Sequence, residues 1–157
     1  MKTKSLAFGI ALFLCAMSSL IAQSGPGQLL FDPKADPLAL IADTRATAVT
    51  AKKLVMIEFG ADWCHDCQAL AKHMSNAELK AYMDGRFMLV RIDVGRFDKN
   101  LELAKSYGID IKKGIPAIVV IDPLTGRSLY ATRNGEWSNA RLLEPSDILK
   151  TLQEIKS

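Results

Sequence analysis

The sequence predicts an α/β fold in which a central mixed β-sheet is flanked by α-helices. Apolar runs alternate with segments of helical character along most of the chain, which favours parallel strands joined by right-handed crossovers. A turn at residues 122–126 separates the last two strand-like runs, so that pair is expected to be antiparallel. With 157 residues, 49% of them apolar and 24% charged, the chain suits one globular domain.

Residues 1–22 have the pattern of a signal peptide. Two lysines near the start precede an uncharged apolar stretch, and Ala22 offers a small residue for cleavage. An uncleaved membrane anchor is the alternative, because the stretch approaches the ~20 residues that span a bilayer. A lipoprotein anchor at Cys15 is disfavoured because the bulky Leu14 precedes it. All three interpretations export the domain.

Cleavage after Ala22 changes both the charge and the cysteine count. The formal charge of +3 falls to about +1, with 18 basic and 17 acidic residues left, so nothing indicates a nucleic-acid-binding surface. Cys15 leaves with the signal, and the mature chain keeps Cys64 and Cys67. A bridge across so short a loop removes little unfolded-state entropy, so chemistry is the better reason for the pair.

Residues 23–35 are rich in glycine and proline and are predicted to be a leader with little structure, except for a short edge strand at 29–31. The folded domain is expected over residues 36–157. Asp36 is predicted to cap the first helix, with Pro37 at its first position. The helix should present a mostly apolar stripe to the core, formed by Leu38, Ile41, Ala42, Arg45, Ala48 and Val49.

Residues 53–59 are too uniformly apolar for a strand with one solvent-exposed face. They therefore predict a central strand that is buried on both faces of the sheet. Glu58 is the exception within it. The next helix is expected from Cys64 to about residue 74, and a shorter one follows at 76–83. Asn76 should cap this shorter helix and Gly85 should end it.

The rest of the chain predicts three more strands and two more helices. The strands are expected at residues 87–94, 117–121 and 128–132, and the helices at 98–107 and 146–155. Gly108 should end the first of these helices, and Ser146 should cap the second.

The segment Cys64-His65-Asp66-Cys67 carries the chemistry. If Cys64 lies at a helix N-terminus, unpaired backbone N–H groups and the helix dipole favour its thiolate. Spacing of three residues brings Cys67 to the same face, close enough to bond. His65 should stabilise a nearby thiolate and Asp66 should oppose it, so both residues tune the dithiol–disulfide balance.

A metal or haem site is a poorer interpretation of the same segment. Two cysteines supply half of a tetrahedral zinc site, but neither His65 nor His73 has a spacing that completes it, so no metal is expected. Covalent haem attachment needs a histidine after Cys67, where Gln68 stands. His73 is interpreted as an ordinary exposed helix residue.

Three segments together resemble the thioredoxin fold: residues 57–59, residues 61–67 and Gly114-Ile115-Pro116. A Trp-Cys-x-x-Cys sequence at the end of a buried strand, with Ile-Pro about fifty residues later, is far more specific than two cysteines alone. The resemblance covers roughly residues 53–155 and implies a thioredoxin-like sheet flanked by helices.

The resemblance also implies roles for individual residues. Cys64 would be the attacking thiolate and Cys67 the resolving thiol. Glu58 stands six positions before Cys64, where thioredoxins carry a buried acid, usually Asp. Burial would raise the pKa of Glu58 and let it deprotonate Cys67, although the longer side chain changes its reach. The alternative is that Glu58 turns to solvent.

Substrate contacts are expected around the cysteines. Pro116 matches the family's cis-proline, and the backbone of Ile115 would then pair with an extended substrate peptide. Trp63 is expected beside the active-site turn, either lining a substrate groove or filling the core. Trp137 is a weaker candidate for the same groove.

These features predict an exported thiol-disulfide oxidoreductase that acts on protein thiols and disulfides without a cofactor. The periplasm is the expected location, with membrane-anchored or secreted forms as alternatives. Ile115 before the proline resembles reducing members of the family, so a reductase served by a membrane electron donor is favoured over an oxidase served by an acceptor. A non-catalytic module that binds a partner, a metal or a chaperone client is the alternative, and a static structural disulfide is a third.

Overall fold

A computed structural model describes residues 29–156, which form helices and strands in the expected alternation. The elements are α1 (Pro37–Ala51), β1 (Leu54–Gly60), α2 (His65–His73), α3 (Ala77–Arg86), β2 (Phe87–Asp93), α4 (Leu101–Ser106), β3 (Ala117–Ile121), β4 (Ser128–Ala131) and α5 (Pro145–Gln153). The predicted signal peptide and the first part of the predicted leader lie outside the described residues. None of the helices described is long and apolar enough to cross a membrane.

The four strands form one mixed sheet in the order β2-β1-β3-β4. β1 runs parallel to β2, with Leu54 opposite Phe87, and antiparallel to β3, with Phe59 opposite Ala117. β3 and β4 form the predicted antiparallel hairpin. The prediction of a central mixed sheet flanked by helices is confirmed, and β1 is buried along its whole length as its composition required.

Alternate residues of β1 supply two separate cores, one on each side of the sheet. The first contains Val55, Ile57 and Phe59 and includes buried residues of α1 and α4. The second contains Met56 and is completed by apolar residues of α2, α3 and α5. Because side chains alternate along a strand, Glu58 points to the same side as Met56 and towards α2.

Helix α1 begins as predicted, because the Asp36 carboxylate accepts hydrogen bonds from the N–H groups of Leu38 and Ala39, and Pro37 is the first helical residue. The predicted stripe is wrong in part. Only Ile41 and Ala48 are buried, whereas other members of the stripe, namely Leu38, Ala42 and Val49, are exposed. The two buried residues are seven positions apart, so α1 touches the sheet along one narrow line.

No edge strand forms at residues 29–31. The N–H groups of Leu30 and Phe31 donate to Asp62 Oδ1 at 2.9 and 3.4 Å instead of to a neighbouring strand. The Phe31 ring is almost fully buried in the first core. The part of the predicted leader that is described is therefore attached to the active-site turn by a side chain.

Two helix ends differ from the predictions. Gly85 does not end α3, which continues through Arg86 directly into β2. The last helix begins one residue earlier than predicted, with Pro145 at its first position and Glu144, not Ser146, as the N-cap. A proline at the first helical position is itself a start signal, and it outweighs the serine that follows it.

Helix α4 begins at Leu101, three residues later than predicted. The Val94 carbonyl accepts hydrogen bonds from the N–H groups of residues 97–99, which closes a tight loop after β2. Phe97 and Asn100 both have positive φ angles, 66° and 56°, so the helical conformation cannot start within this loop. Gly108, with φ of 80°, follows the end of the helix as predicted.

Gly60 lies where the strand, the described N-terminal segment and the cysteines meet. A Cβ there would lie 2.5 Å from Phe31 Cζ and 2.9 Å from Cys67 Sγ. Gly60→Ala is therefore expected to lower the free energy of unfolding by about 1–3 kcal/mol through overpacking. Gly85→Ala is the matched control, since its Cβ meets nothing within 4 Å, and it should raise stability by about 0.5–1 kcal/mol. Urea denaturation of the oxidised proteins measures both, and equal effects would contradict the packing argument.

Candidate active site

The two cysteines lie at the turn between β1 and α2 and are joined by a disulfide, with their Cα atoms 5.2 Å apart. Cys64 is the N-cap of α2 and Cys67 lies in its first turn. The predicted strand–turn–helix arrangement is confirmed. Cys64 is 5% exposed and Cys67 is fully buried, so Cys64 is the more accessible of the two cysteines.

The start of α2 is built to hold negative charge on the first sulfur. The Cys67 N–H points at Cys64 Sγ across 3.1 Å. When the disulfide opens, this donor and the positive end of the helix dipole stabilise a Cys64 thiolate. Cys67 is fully buried and does not occupy the N-cap position. This difference suits Cys64 to attack a substrate and Cys67 to resolve the mixed disulfide.

The Ile115–Pro116 segment lies against the disulfide. Cys64 Sγ is 3.6 Å from the Ile115 carbonyl oxygen, and the Ile115–Pro116 peptide bond is cis. The antiparallel pairing of β1 with β3 explains the approach, because Ala117 stands opposite Phe59, where β1 ends and β3 begins. Two segments fifty residues apart in the sequence thus meet at one edge of the sheet.

Glu58 is fully buried, so the alternative in which it turns to solvent is wrong. Its Oε2 accepts a hydrogen bond from Arg91 Nε at 2.8 Å, because Glu58 and Arg91 are register partners on β1 and β2. Burial raises the pKa of Glu58, and the charge and hydrogen bond of Arg91 only partly offset this. The direction of the pKa shift agrees with the prediction.

The partner of Glu58 is not the expected one. Within residues 29–156 its carboxylate makes no hydrogen bond to Cys67, and Oε1 is buried without a protein partner. The residue beside Cys67 Sγ is Gly60, two positions further along the same face. Sequence reasoning missed Arg91, although a charged residue inside the apolar second strand was the available signal.

Trp63 lies beside the turn and is 39% exposed, so it does not fill the core. Its indole Nε1–H donates to the Gly95 carbonyl at 2.7 Å. The Arg96 guanidinium lies 5.2 Å from the indole ring, and the Phe97 ring packs edge-on at 5.6 Å. An exposed aromatic surface therefore borders the disulfide.

Trp137 does not belong to this surface. Its ring is buried in the second core and lies 6.3 Å from the ring of Tyr130. The prediction that Trp137 lines the substrate groove is wrong. Its neighbours Gly135 and Glu136 suggested a loop, but the tryptophan itself packs inward from that loop.

His65 is exposed, and Asp66 is bound by Arg141 from the distant segment 140–142. Burial opposes ionisation of Asp66, but the hydrogen bonds and charge of Arg141, with a smaller contribution from His65, outweigh it and lower the pKa of Asp66. His73 is half-buried, and its Nε2 lies 3.0 Å from the Ala140 carbonyl oxygen. The interpretation of His73 as an ordinary exposed residue is therefore wrong.

Within residues 29–156 no three histidine, cysteine, aspartate or glutamate side chains come together as a metal site.

Comparison with known proteins places this geometry in a family. A thioredoxin-like family model matches residues 36–123, more than half of the chain. The chain belongs to the thioredoxin-like family. Thioredoxin of Bacillus subtilis (strain 168) is 33% identical to this thioredoxin-like chain over 79 residues, which are 50% of this chain and 68% of that protein. Thioredoxin of Buchnera aphidicola subsp. Baizongia pistaciae is 30% identical over 59% of this chain and 74% of that protein.

Solved structures agree with this assignment. The crystal structure of a disulphide isomerase from Xylella fastidiosa Temecula1 superposes with a TM-score of 0.74 at 38% identity, covering 81% of this chain and 98% of that one. The reduced C-terminal domain of DsbD from Neisseria meningitidis has a TM-score of 0.58 at 22% identity, covering 78% and 98%, and supports the fold alone. The thioredoxin-like fold with its Cys64–Cys67 disulfide makes this chain a thiol-disulfide oxidoreductase.

Proposed function

We propose that this protein is exported and reduces disulfide bonds in protein substrates. The observation that carries the proposal is the unequal placement of the two cysteines, with Cys64 slightly exposed at the N-cap of α2 and Cys67 fully buried in its first turn. The Xylella fastidiosa relative, 38% identical, is described as a disulphide isomerase, which supports protein disulfides as the substrate class. Export rests on the signal-like pattern of residues 1–22.

The reaction is a pair of thiol–disulfide exchanges. The Cys64 thiolate attacks one sulfur of the substrate disulfide, a mixed disulfide forms, and the other substrate sulfur leaves as a thiolate that takes up a proton. The Cys67 thiol then loses its proton and attacks Cys64 Sγ, which releases the second substrate thiolate. Two electrons pass from the cysteine pair to the substrate, and the Cys64–Cys67 disulfide remains. An external dithiol must reduce that disulfide before the next cycle.

Glu58 is the proposed acceptor of the Cys67 proton. It is buried with a raised pKa and lies on the α2 side of β1, two residues from the glycine that contacts Cys67 Sγ. No hydrogen bond joins the Glu58 carboxylate to Cys67 in the described residues, so the proton would have to pass through a bridging water molecule. Arg91 holds the carboxylate in place.

Trp63, Ile115 and Pro116 are the proposed substrate contacts. The Ile115 carbonyl lies beside the attacking sulfur, where an extended substrate segment could pair with its backbone. The exposed indole of Trp63 offers an apolar surface to the residues that flank a substrate cysteine. Both contacts lie next to the sulfur that forms the mixed disulfide.

The reducing direction is proposed from Ile115 before the proline, because this residue resembles the reducing members of the family. An exported reductase needs electrons from outside its own compartment, so a membrane electron donor is the expected partner. An acceptor would take that place if the protein oxidises its substrates.

A trapping experiment tests the proposal. Cys67→Ala cannot resolve the mixed disulfide, so cells that express this variant should accumulate covalent adducts, which are visible on non-reducing gels. Dithiothreitol should reduce the mixed disulfides and release the free variant. The adducts should be recovered from the cell envelope fraction. Adding Cys64→Ser to the variant is the matched control and should remove every adduct. Adducts that survive the control, or adducts found only in the cytosol, would contradict the nucleophile or the export.

A further inference from the structure

The carboxylate between the two cysteines has a partner from far along the chain. Asp66 Oδ1 accepts hydrogen bonds from the Arg141 backbone N–H at 3.0 Å and from its guanidinium Nε at 3.2 Å. The Asp66 side chain is only 15% exposed, and the arginine covers it from outside. Two donors from one residue hold a single carboxylate oxygen.

The segment that carries Arg141 is fixed to α2 at a second point. His73 Nε2, at the far end of the helix, lies 3.0 Å from the carbonyl oxygen of Ala140, and Ala140 is fully buried. Segment 140–142 therefore lies along α2 between the two anchors. This placement fixes the backbone of Arg141, so only the freedom of its side chain remains to be lost when the guanidinium binds Asp66.

The charged and polar groups around the cysteine segment come from three parts of the chain. His65 and Asp66 come from α2, Arg141 comes from segment 140–142, and the Ile115 carbonyl comes from the loop before β3. The other carboxylate of the turn, Asp62, is bound to the N–H groups of residues 30–31. Asp62 and Asp66 each stand two positions from Cys64, and Asp66 is the one that a cation, Arg141, compensates.

We propose that Arg141 is a positioning residue that sets the thiolate stability and the redox potential of Cys64 by neutralising Asp66. This inference rests on the proposed reversible dithiol. A free Asp66 carboxylate repels a Cys64 thiolate, whereas the disulfide carries no charge and is indifferent to it. The Asp66–Arg141 pair therefore favours the reduced protein over the oxidised one, and it makes the disulfide a stronger oxidant than the cysteine segment alone would produce.

Four variants test this inference. Arg141→Ala should lower the ionisation constant of Cys64 by roughly two- to fivefold, the size expected of one charge several ångströms away near a protein surface. Its redox equilibrium with glutathione should move towards the disulfide by the same factor, or about 10–20 mV towards a more negative potential. Arg141→Lys, which keeps the charge, should show a smaller change. In an Asp66→Asn background the guanidinium loses the carboxylate that holds it, so Arg141→Ala should have a smaller effect than in the wild type.

His73→Ala is the matched structural control, because it removes the second anchor of the segment and leaves the charges at Asp66 in place. The pKa of Cys64 is measured from the pH dependence of iodoacetamide alkylation of the reduced protein, and the potential from equilibrium with glutathione. The inference is overturned if Arg141→Ala behaves as wild type, if it acts equally in the Asp66→Asn background, or if His73→Ala reproduces its full effect. The alkylation result decides the inference even if the wild type does not turn over a protein disulfide, an outcome that would contradict only the proposed function.

Discussion

Cys64→Ser is expected to reduce the disulfide-reductase rate to the background of the assay, a loss of at least about 1,000-fold. A serine hydroxyl does not ionise at neutral pH and cannot form a mixed disulfide, and Cys67, the remaining cysteine of residues 29–156, is fully buried. Reduction of insulin with dithiothreitol as the electron source gives the rate. Gly85→Ala is the control for effects of substitution and purification that do not involve the cysteines. A Cβ at this position meets nothing within 4 Å, so the variant should retain wild-type turnover.

Two outcomes of that assay would change the mechanism. Substantial turnover by Cys64→Ser would mean that Cys67 becomes accessible and attacks directly. A wild-type protein that does not reduce insulin, together with tight retention of a partner or metal by the reduced cysteines, would favour the non-catalytic module. Circular dichroism of each variant separates both outcomes from unfolding.

Arg91→Leu is expected to lower the free energy of unfolding of the oxidised protein by about 2–4 kcal/mol at pH 7.5. The change leaves the Glu58 carboxylate buried without Arg91, its only charged partner within residues 29–156, so the carboxylate must either stay unpaired or take up a proton. The Arg91 side chain is 24% exposed, which keeps the expected loss below that of a fully buried pair. Urea denaturation measures it.

The pH dependence of this loss identifies its cause. The pKa of Glu58 is raised in the folded protein above its ordinary value of 4.5. At a pH below 4.5 the carboxyl group is therefore mostly neutral in both the folded and the unfolded state. There Arg91→Leu should cost little beyond lost packing. As pH rises through the folded pKa, the buried carboxylate ionises and the difference from wild type should grow. An equal cost at pH 4 and pH 7.5 would contradict the electrostatic explanation.

Replacing both partners is the control for this pair. In a Glu58→Leu background no carboxylate is left buried without a partner. Arg91→Leu should then lower the free energy of unfolding much less, and its effect should no longer depend on pH. Denaturation of the disulfide-bonded form keeps the cysteines from titrating, so the pH dependence of the single variant reports on Glu58.

What the sequence could predict depended on how locally each feature is encoded. The disulfide at the start of α2 follows from residues within ten positions of one another, and Asp36, Pro37 and Asn76 act as helix-start signals that need no tertiary contact. The likeness of Ile115-Pro116 to a known family supplied one distant partner. These parts of the site were predictable.

The missed features all depend on pairing across the fold. Arg91 reaches Glu58 through strand register, and Arg141 reaches Asp66 across 75 positions of sequence. Neither contact follows from hydrophobic periodicity. The inward orientation of Trp137 was missed for a related reason, because a loop composition does not say which of its side chains turns into the core.

The attachment of Phe31 to the active-site turn has a practical consequence for handling the protein. Leu29 borders the same hollow as Trp63, so the described chain starts at the edge of the molecule that carries the cysteines. It finishes at the other edge, where Arg86, just before β2, binds the Ile155 carbonyl. A purification handle or a solid support joined directly before residue 29 would crowd incoming substrates. The same attachment after residue 156 leaves the reactive edge free.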